Sequence, residues 1–243
     1  MIEAKTDEIW WPKIKVETVH RTRVAERRAS LYLTAKRCID IICTAVLLVL
    51  LSPLMALIAL AIRLDSPGPA IFRQKRVGKW GKQFTMFKFR SMHMDADDEV
   101  HRKFASDYIN GNGHKKTENS STGDNDVYKP NGDKRITRVG KWLRRTSLDE
   151  LPQLLNVLKG EMSLVGPRPV VPYEVEEYSR WHLRRLAVLP GMTGLAQING
   201  RSALPFEKIV RLDLLYIRRR SLALDMAILW KTIPVVLNAD CAA

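Results

Sequence analysis

Two adjacent carboxylates, Asp149-Glu150, follow closely on two guanidinium groups, Arg144 and Arg145, and a further arginine stands between prolines in Gly166-Pro167-Arg168-Pro169. Arginine grips phosphate oxygens bidentately, so Arg144 and Arg168 suit the two ends of a diphosphate. A carboxylate beside such cations stays ionised at neutral pH. It can then act as a nucleophile while its neighbour binds Mg2+ or handles protons. A purely structural account competes. Ser147-x-x-Glu150 is also a capping box, in which Glu150 would bond back to the N-cap amide. Pro152 complicates that account, because as the fifth helical residue it would forfeit a bond to Leu148. The helix therefore begins either at Ser147, with Glu150 as part of the cap, or at Pro152, with the acidic pair on an exposed turn. The pattern alone leaves both open.

The elements that must position these groups can be traced outward. Leu151, Leu154, Leu155 and Leu158 form an i, i+3, i+4, i+7 stripe, which predicts a helix over Ser147 to Lys159 with that stripe inward. Upstream, Ile71-Phe72 and Phe84 to Phe89 are β-prone runs joined by the turn signal Gly78-Lys79-Trp80-Gly81, which predicts a hairpin. In its second strand Phe87 and Phe89 point one way and Lys88 and Arg90 the other, so one face packs and the other offers cations to a phosphate. Asp95 to Phe104 is expected to be helical, its first-turn acids Asp95, Asp97, Asp98 and Glu99 compensating the helix dipole. Residues 110–133 are rich in Gly, Asn, Ser and Asp and are expected to form a mobile loop. Within them Asp124-Asn125-Asp126 imitates the metal-binding D-x-D of nucleotide-sugar glycosyltransferases. A helix is expected from Pro172 to Val188, then Pro190-Gly191-Met192-Thr193-Gly194, then two helical stretches ending near Leu237.

The compartment is set by another segment. Ile41 to Ile62 carries no charge. At ~1.5 Å per residue it would run ~33 Å as a helix, against a bilayer core of ~30 Å. The long polar stretch ahead of it argues against a cleaved signal peptide. Ser52-Pro53 interrupts the run at its middle, where proline removes a helical hydrogen bond. Lys36 and Arg37 precede the run, and Arg63, Arg73, Lys75 and Arg76 follow it. Both ends thus bear the positive charge of a cytoplasmic face. A helix broken at Ser52-Pro53 that enters and leaves on one face satisfies both observations. The expected organisation is a basic juxtamembrane leader over residues 1–35, a re-entrant membrane helix over 36–63 and a catalytic domain over 64–243. The leader either lies on anionic lipid or is a solvated stretch.

Composition agrees. Lys and Arg number 40 against 26 Asp and Glu, a net charge of +14. That surplus favours polyanionic partners: phosphorylated substrates, an anionic membrane face or nucleic acid. No nucleic-acid motif appears, and the apolar run is foreign to that class, so no nucleic-acid partner is expected. Cys38, Cys43 and Cys241 have neither disulfide nor zinc spacing, which fits a reducing cytosolic side.

The stretch from Arg144-Arg145-Thr146-Ser147-Leu148-Asp149-Glu150-Leu151-Pro152-Gln153-Leu154 through Asn156-Val157-Leu158-Lys159-Gly160-Glu161-Met162-Ser163-Leu164-Val165 to Gly166-Pro167-Arg168-Pro169 closely resembles the signature of the bacterial sugar transferase family. These are monotopic phosphoglycosyl transferases that prime exopolysaccharide, O-antigen and protein glycan synthesis. Lys36-Arg37 with Asp40, Phe87-Lys88-Phe89-Arg90-Ser91-Met92, Asp133-Lys134-Arg135-Ile136-Thr137-Arg138-Val139-Gly140 and Pro190-Gly191-Met192-Thr193-Gly194 match as well. The resemblance covers about Lys36 to Pro234. It implies that Asp149 is the nucleophile, attacking the β-phosphorus of a UDP-sugar, and that Asp149 and Glu150 help to hold Mg2+. It implies a polyprenyl phosphate acceptor, a break at Ser52-Pro53 that makes the membrane helix re-entrant, and a compact priming enzyme of the bacterial inner membrane with its catalytic domain facing the cytosol. Arg144, Arg168, Arg145, Lys88, Arg90 and Thr193 complete the expected phosphate- and substrate-binding set. The expected fold is α+β, mainly helical with a small β-hairpin; a homodimer is compatible with it. Two rival functions are a metal-dependent glycosyltransferase working through Asp124 and Asp126 and a non-catalytic membrane-anchored polysaccharide assembly factor.

Overall fold

An unbroken apolar run beside a hairpin signal folds as one long helix laid against a small mixed domain. The structure, a computed structural model, describes residues 23–93, 99–110, 135–200 and 204–237. Most of the leader, the loop after Asn110 with Asp124 and Asp126, the acids Asp95, Asp97 and Asp98, and Cys241 lie outside the described residues. Helix α1 spans Arg23–Asp65, so helix begins well before Lys36 and takes in the end of the expected leader. Its stretch Ser30–Asp65 is long and apolar enough to cross a membrane. The helix runs through Pro53 without interruption, a departure from the expected helix-break-helix. The local chemistry explains how: the Ser52 hydroxyl donates to the Val49 carbonyl at 2.8 Å, the acceptor that Pro53, lacking an N–H, cannot serve.

One face of α1 is seated on the domain along its length. Asp40, Thr44, Ile58 and Ile62 are buried, while Ile42, Val46, Val49, Leu50, Leu57 and Leu60 on other faces are exposed. With the part-buried Leu47, Leu48, Leu51 and Met55 between them, these inward positions make one helical stripe. Polar anchors reinforce it. Lys36 Nζ meets Asp225 at 3.0 Å, Arg37 donates to the carbonyls of Val157 (2.7 Å) and Leu158 (3.0 Å), and Asp40 accepts the Leu164 amide at 3.2 Å. The cations Lys36 and Arg37, read from sequence as charge on the cytoplasmic side of the apolar run, are thus engaged by protein.

The hairpin forms as expected, β1 Ile71–Val77 antiparallel to β2 Gln83–Phe89 with Ile71 opposite Phe89. Both of its faces pack, which corrects the expectation of one apolar and one cationic face. Phe84 and Met86 enter one core cluster, Phe89 enters another, and Phe87 is covered by Lys159, whose Nζ lies 4.6 Å from the ring centroid.

Helix α2 is Glu99–Ile109 and α3 is Arg138–Arg145, the latter capped by Thr137, whose hydroxyl accepts the Gly140 amide at 2.9 Å. Gly140 is required there because a Cβ would sit 2.1 Å from the Ser91 carbonyl oxygen. Helix α4 is Gln153–Lys159, shorter than expected and turned: Leu154 and Val157 are buried, whereas Leu155 and Leu158 of the expected stripe are exposed. Strand β3, Ser163–Val165, pairs in parallel with β4, Gly191–Thr193. Between them the expected long helix is α5, Pro172–Glu176, followed by a separate 3-10 segment, His182–Ala187. Helices α6, Phe206–Arg219, and α7, Leu222–Leu237, close the described chain. The protein is thus mostly helical with two small sheets. A core cluster of Phe84, Met86, Leu154, Val157, Leu164 and Ile228 joins β2, α4, β3 and α7. At the far side Arg185 lies 2.6 Å from Asp213 and donates to the Tyr178 hydroxyl at 2.9 Å, all three buried.

Candidate active site

The backbone leading into the acidic pair is strained. Ser147 adopts φ 56° and ψ 16°, the left-handed region that a residue with a Cβ seldom enters. A 3-10 turn, Leu148–Glu150, follows, and α4 begins only after Pro152. The capping box is not formed: Ser147 makes no side-chain cap bond, and the Glu150 side chain turns to Lys88 instead. Of the two geometries left open by the sequence, the helix starting at Pro152 is observed. Proline suits that position because a helix's first amides lack intrahelical partners anyway. The turn is not a fully exposed one, however. Leu148 and Leu151 pack into the cluster of Ile58, Ile62, Phe89 and Leu143, and this holds the Asp149 side chain to 13% accessibility against 37% for Glu150.

Lys88 Nζ lies 2.9 Å from Glu150 Oε1 and 3.9 Å from Asp149 Oδ2. The residue that sets this register is one sequence reasoning missed. Asn156, fully buried in α4, accepts the Phe87 amide at 3.1 Å and donates to the Thr85 carbonyl and to Glu161 Oε2, each at 2.7 Å. Its carboxamide pairs with the edge of β2 as another strand would, and so holds Lys88 over the turn that precedes α4. The signal available was a polar amide inside an otherwise apolar helical pattern.

Arg168 is exposed on a backbone clamped from both sides. The Gly166 amide donates to the Thr193 carbonyl and the Gly191 amide to the Pro167 carbonyl, each at 2.8 Å. Arg76 donates to the Pro169 carbonyl at 3.1 Å, and the Val77 amide to the Val170 carbonyl at 2.8 Å. The two glycine motifs are thereby explained: a Cβ on Gly191 would stand 2.0 Å from the Gly166 nitrogen. Arg144 is half-buried in the last turn of α3, just ahead of Ser147, and Arg145 beside it is exposed.

Two expected substrate contacts have other partners. Arg90 is buried, and its guanidinium donates to the carbonyls of Pro67 (2.6 Å), Ser66 (2.7 Å) and Ile62 (3.3 Å), so that it closes the end of α1. Thr193 is buried with its hydroxyl 2.8 Å from that of Thr232 on α7. Both are explained by burial, which alternation along a strand does not reveal.

Among the described residues no three His, Cys, Asp or Glu side chains converge as a metal cluster. Asp149 and Glu150 do fit the mode in which Mg2+ takes one or two carboxylates and completes its shell with substrate phosphates and water.

A family model described as bacterial sugar transferase matches residues 31–239. An undecaprenyl-phosphate galactose phosphotransferase of Salmonella typhimurium is 43% identical over 216 residues, covering 89% of this chain and 43% of that protein. A UDP-glucose:undecaprenyl-phosphate glucose-1-phosphate transferase of Caulobacter vibrioides is 40% identical over 85% of this chain and 71% of its own length. The exopolysaccharide production protein ExoY of Rhizobium meliloti is 41% identical over 83% and 85% respectively. The chain spans less than half the length of the Salmonella protein.

Proposed function

This chain belongs to the bacterial sugar transferase family, and we propose that it moves a sugar-1-phosphate from a UDP-sugar onto polyprenyl phosphate, releasing UMP. The observation that carries this reading is the Asp149-Glu150 pair, held on a strained turn under the Lys88 ammonium. The names of the Salmonella and Caulobacter relatives supply the class of acceptor, and the Caulobacter name the UDP-sugar donor.

In the first half-reaction an Asp149 carboxylate oxygen attacks the β-phosphorus of the donor. The bond from that phosphorus to the bridging oxygen breaks, and UMP leaves with the electron pair. In the second, a phosphate oxygen of the polyprenyl carrier attacks the same phosphorus, the aspartyl bond breaks, and Asp149 is regenerated. Phosphoryl transfer asks mainly for positioning and charge neutralisation. Lys88 meets the acidic pair, Arg168 is presented on its clamped loop, and Arg144 precedes the turn. Asp149 and Glu150 would hold Mg2+, which would supply neutralisation of phosphate charge.

Both ends of α1 belong on the cytosolic face. A helix fixed to the catalytic domain from Lys36 to Asp65 cannot leave that domain for the opposite side of a bilayer, and the exposed apolar faces of α1 are left to meet lipid. Pro53 lies on an exposed face, so any bend it imposes curves α1 around the domain rather than away from it. The site then sits at the interface, where a soluble nucleotide sugar and a lipid phosphate can both reach it. Purified enzyme given undecaprenyl phosphate and a panel of UDP-sugars tests the reaction and identifies the sugar. UMP release supports it; UDP release would transfer the role to a conventional glycosyltransferase chemistry.

A further inference from the structure

Gln74 stands on β1 between the two cationic parts of the site. Alternate residues of a strand share a face, and the register sets Phe72 opposite Lys88, Gln74 opposite Met86 and Arg76 opposite Phe84. These six side chains form one face of the hairpin. Phe84 and Met86 seat it on the core, and Lys88, Gln74 and Arg76, each only partly buried, line the rest. At one end Lys88 meets Glu150 and Asp149. At the other, Arg76 Nη1 donates to the Pro169 carbonyl at 3.1 Å, next in sequence to Arg168. Gln74 is diagonal to Lys88, a separation of ~7–8 Å between backbones.

Arg76 also decides which way the Gln74 amide points. Its Nε and Nη2 donate to Gln74 Oε1 at 3.1 and 2.6 Å. A guanidinium has no acceptor, so only the oxygen of the carboxamide can face it. Nε2 and its two hydrogens are therefore turned away from Arg76, and no acceptor for them occurs among the described residues. Holding Arg76 requires an acceptor alone, and a glutamate would do that with a stronger, charge-assisted bond. A glutamine at this position adds a fixed, neutral pair of donors.

We propose that Gln74 is a substrate-binding residue whose Nε2 donates to a nonbridging diphosphate oxygen of the nucleotide sugar, between Lys88 and Arg168. The assignment rests on the reading that the acidic pair works on such a donor. An ammonium neutralises phosphate charge but gives it little direction. A carboxamide locked by Arg76 supplies the direction, fixing the rotation of the diphosphate so that its β-phosphorus meets Asp149. Being neutral, it adds no charge to retain UMP once that group has left.

Two variants of the full-length, detergent-solubilised enzyme test this. Gln74→Glu keeps the acceptor that faces Arg76 and loses the donors; Gln74→Met loses both and adds no charge. UDP, a diphosphate without the sugar, is titrated calorimetrically, and UMP release is followed at subsaturating UDP-sugar. Both variants are expected to bind UDP at least tenfold more weakly and to release UMP about a hundredfold more slowly, as for removal of one preorganised donor. The Gln74→Glu enzyme should keep the native urea midpoint, and its loss should persist at high salt, where repulsion by an added charge fades. That high-salt measurement decides the matter should Gln74→Met fail to fold. A loss confined to Gln74→Met makes Gln74 a holder of Arg76 only, and one confined to Gln74→Glu that disappears in salt is a charge effect; either overturns the proposal. Unchanged UDP binding with a raised KM for the UDP-sugar places the contact on the sugar and also overturns it. Native enzyme that neither binds UDP nor releases UMP removes the underlying reading of the reaction as well.

Discussion

The ammonium of Lys88 and the carboxylate of Glu150 meet at 2.9 Å, while Asp149, the deeper of the two acids, stays 3.9 Å from the same cation. The pair therefore divides. Glu150 makes the close contact, and Asp149 is held within the field of the ammonium at the longer distance. Replacing Lys88 with Met should lower UMP release by about a hundredfold, the usual cost of removing one preorganised cationic or donor group from a transition state. Because the ion pair is partly exposed, its loss should lower stability by less than about 1 kcal/mol. Steady-state kinetics and urea denaturation together check this.

Arg90 and Arg168 both stood in the expected phosphate- and substrate-binding set, and the structure gives them different surroundings. Arg90→Ala strands buried carbonyls at the end of α1; it should cost about 2–4 kcal/mol, since each unpaired buried group costs about 1–3. Arg168 is exposed, so Arg168→Ala should cost less stability than Arg90→Ala, and it should reduce kcat/KM for the donor at least tenfold by removing a charged phosphate contact. Equal effects of the two on stability would contradict the assignment.

Asn156→Asp tests the link between α4 and β2. A carboxylate in place of the amide can still accept from Phe87 but faces the Thr85 carbonyl and Glu161 with no hydrogen to give. Destabilisation of about 2 kcal/mol or more is expected, together with faster hydrogen exchange at the amides of β2. Unchanged exchange there would show that the strand is positioned by other contacts.

The Ser52 hydroxyl substitutes for the helical donor that Pro53 lacks. Ser52→Ala alone should cost about 1 kcal/mol, the net worth of one hydrogen bond. The double change Ser52→Ala with Pro53→Ala leaves the anchors of α1 on the domain untouched and should leave the topology as it is. Tags at both termini should be reachable only from the cytosol in the native enzyme and in the double variant alike. Periplasmic access in the native enzyme would rule out the proposed topology.

How much of this was legible in sequence varies with how local its cause is. The hairpin was legible because period-two apolar residues and a glycine turn act over a few positions. The start of α4 was legible in part, since Pro152 offered one of the two helix starts that the pattern left open. What escaped was decided by distant partners. Arg90 alternates outward along β2 on paper, yet the open carbonyls at the end of α1 draw it inside. The leucine stripe of α4 mispredicted the buried face because Asn156 has to reach the edge of β2, which turns Leu155 and Leu158 outward. Lys36 and Arg37 read as charge marking the cytoplasmic side of the apolar run, and only the tertiary placement of Asp225 and the end of α4 reveals their protein partners.

The most direct test asks whether residue 149 becomes covalently modified. Enzyme incubated with its UDP-sugar and no polyprenyl phosphate should gain the mass of one phosphosugar, mapped by peptide mass spectrometry to Asp149, with one equivalent of UMP formed; Asp149→Asn protein should gain nothing. Enzyme that turns over with acceptor present, yet never carries that adduct without it, would contradict the covalent account.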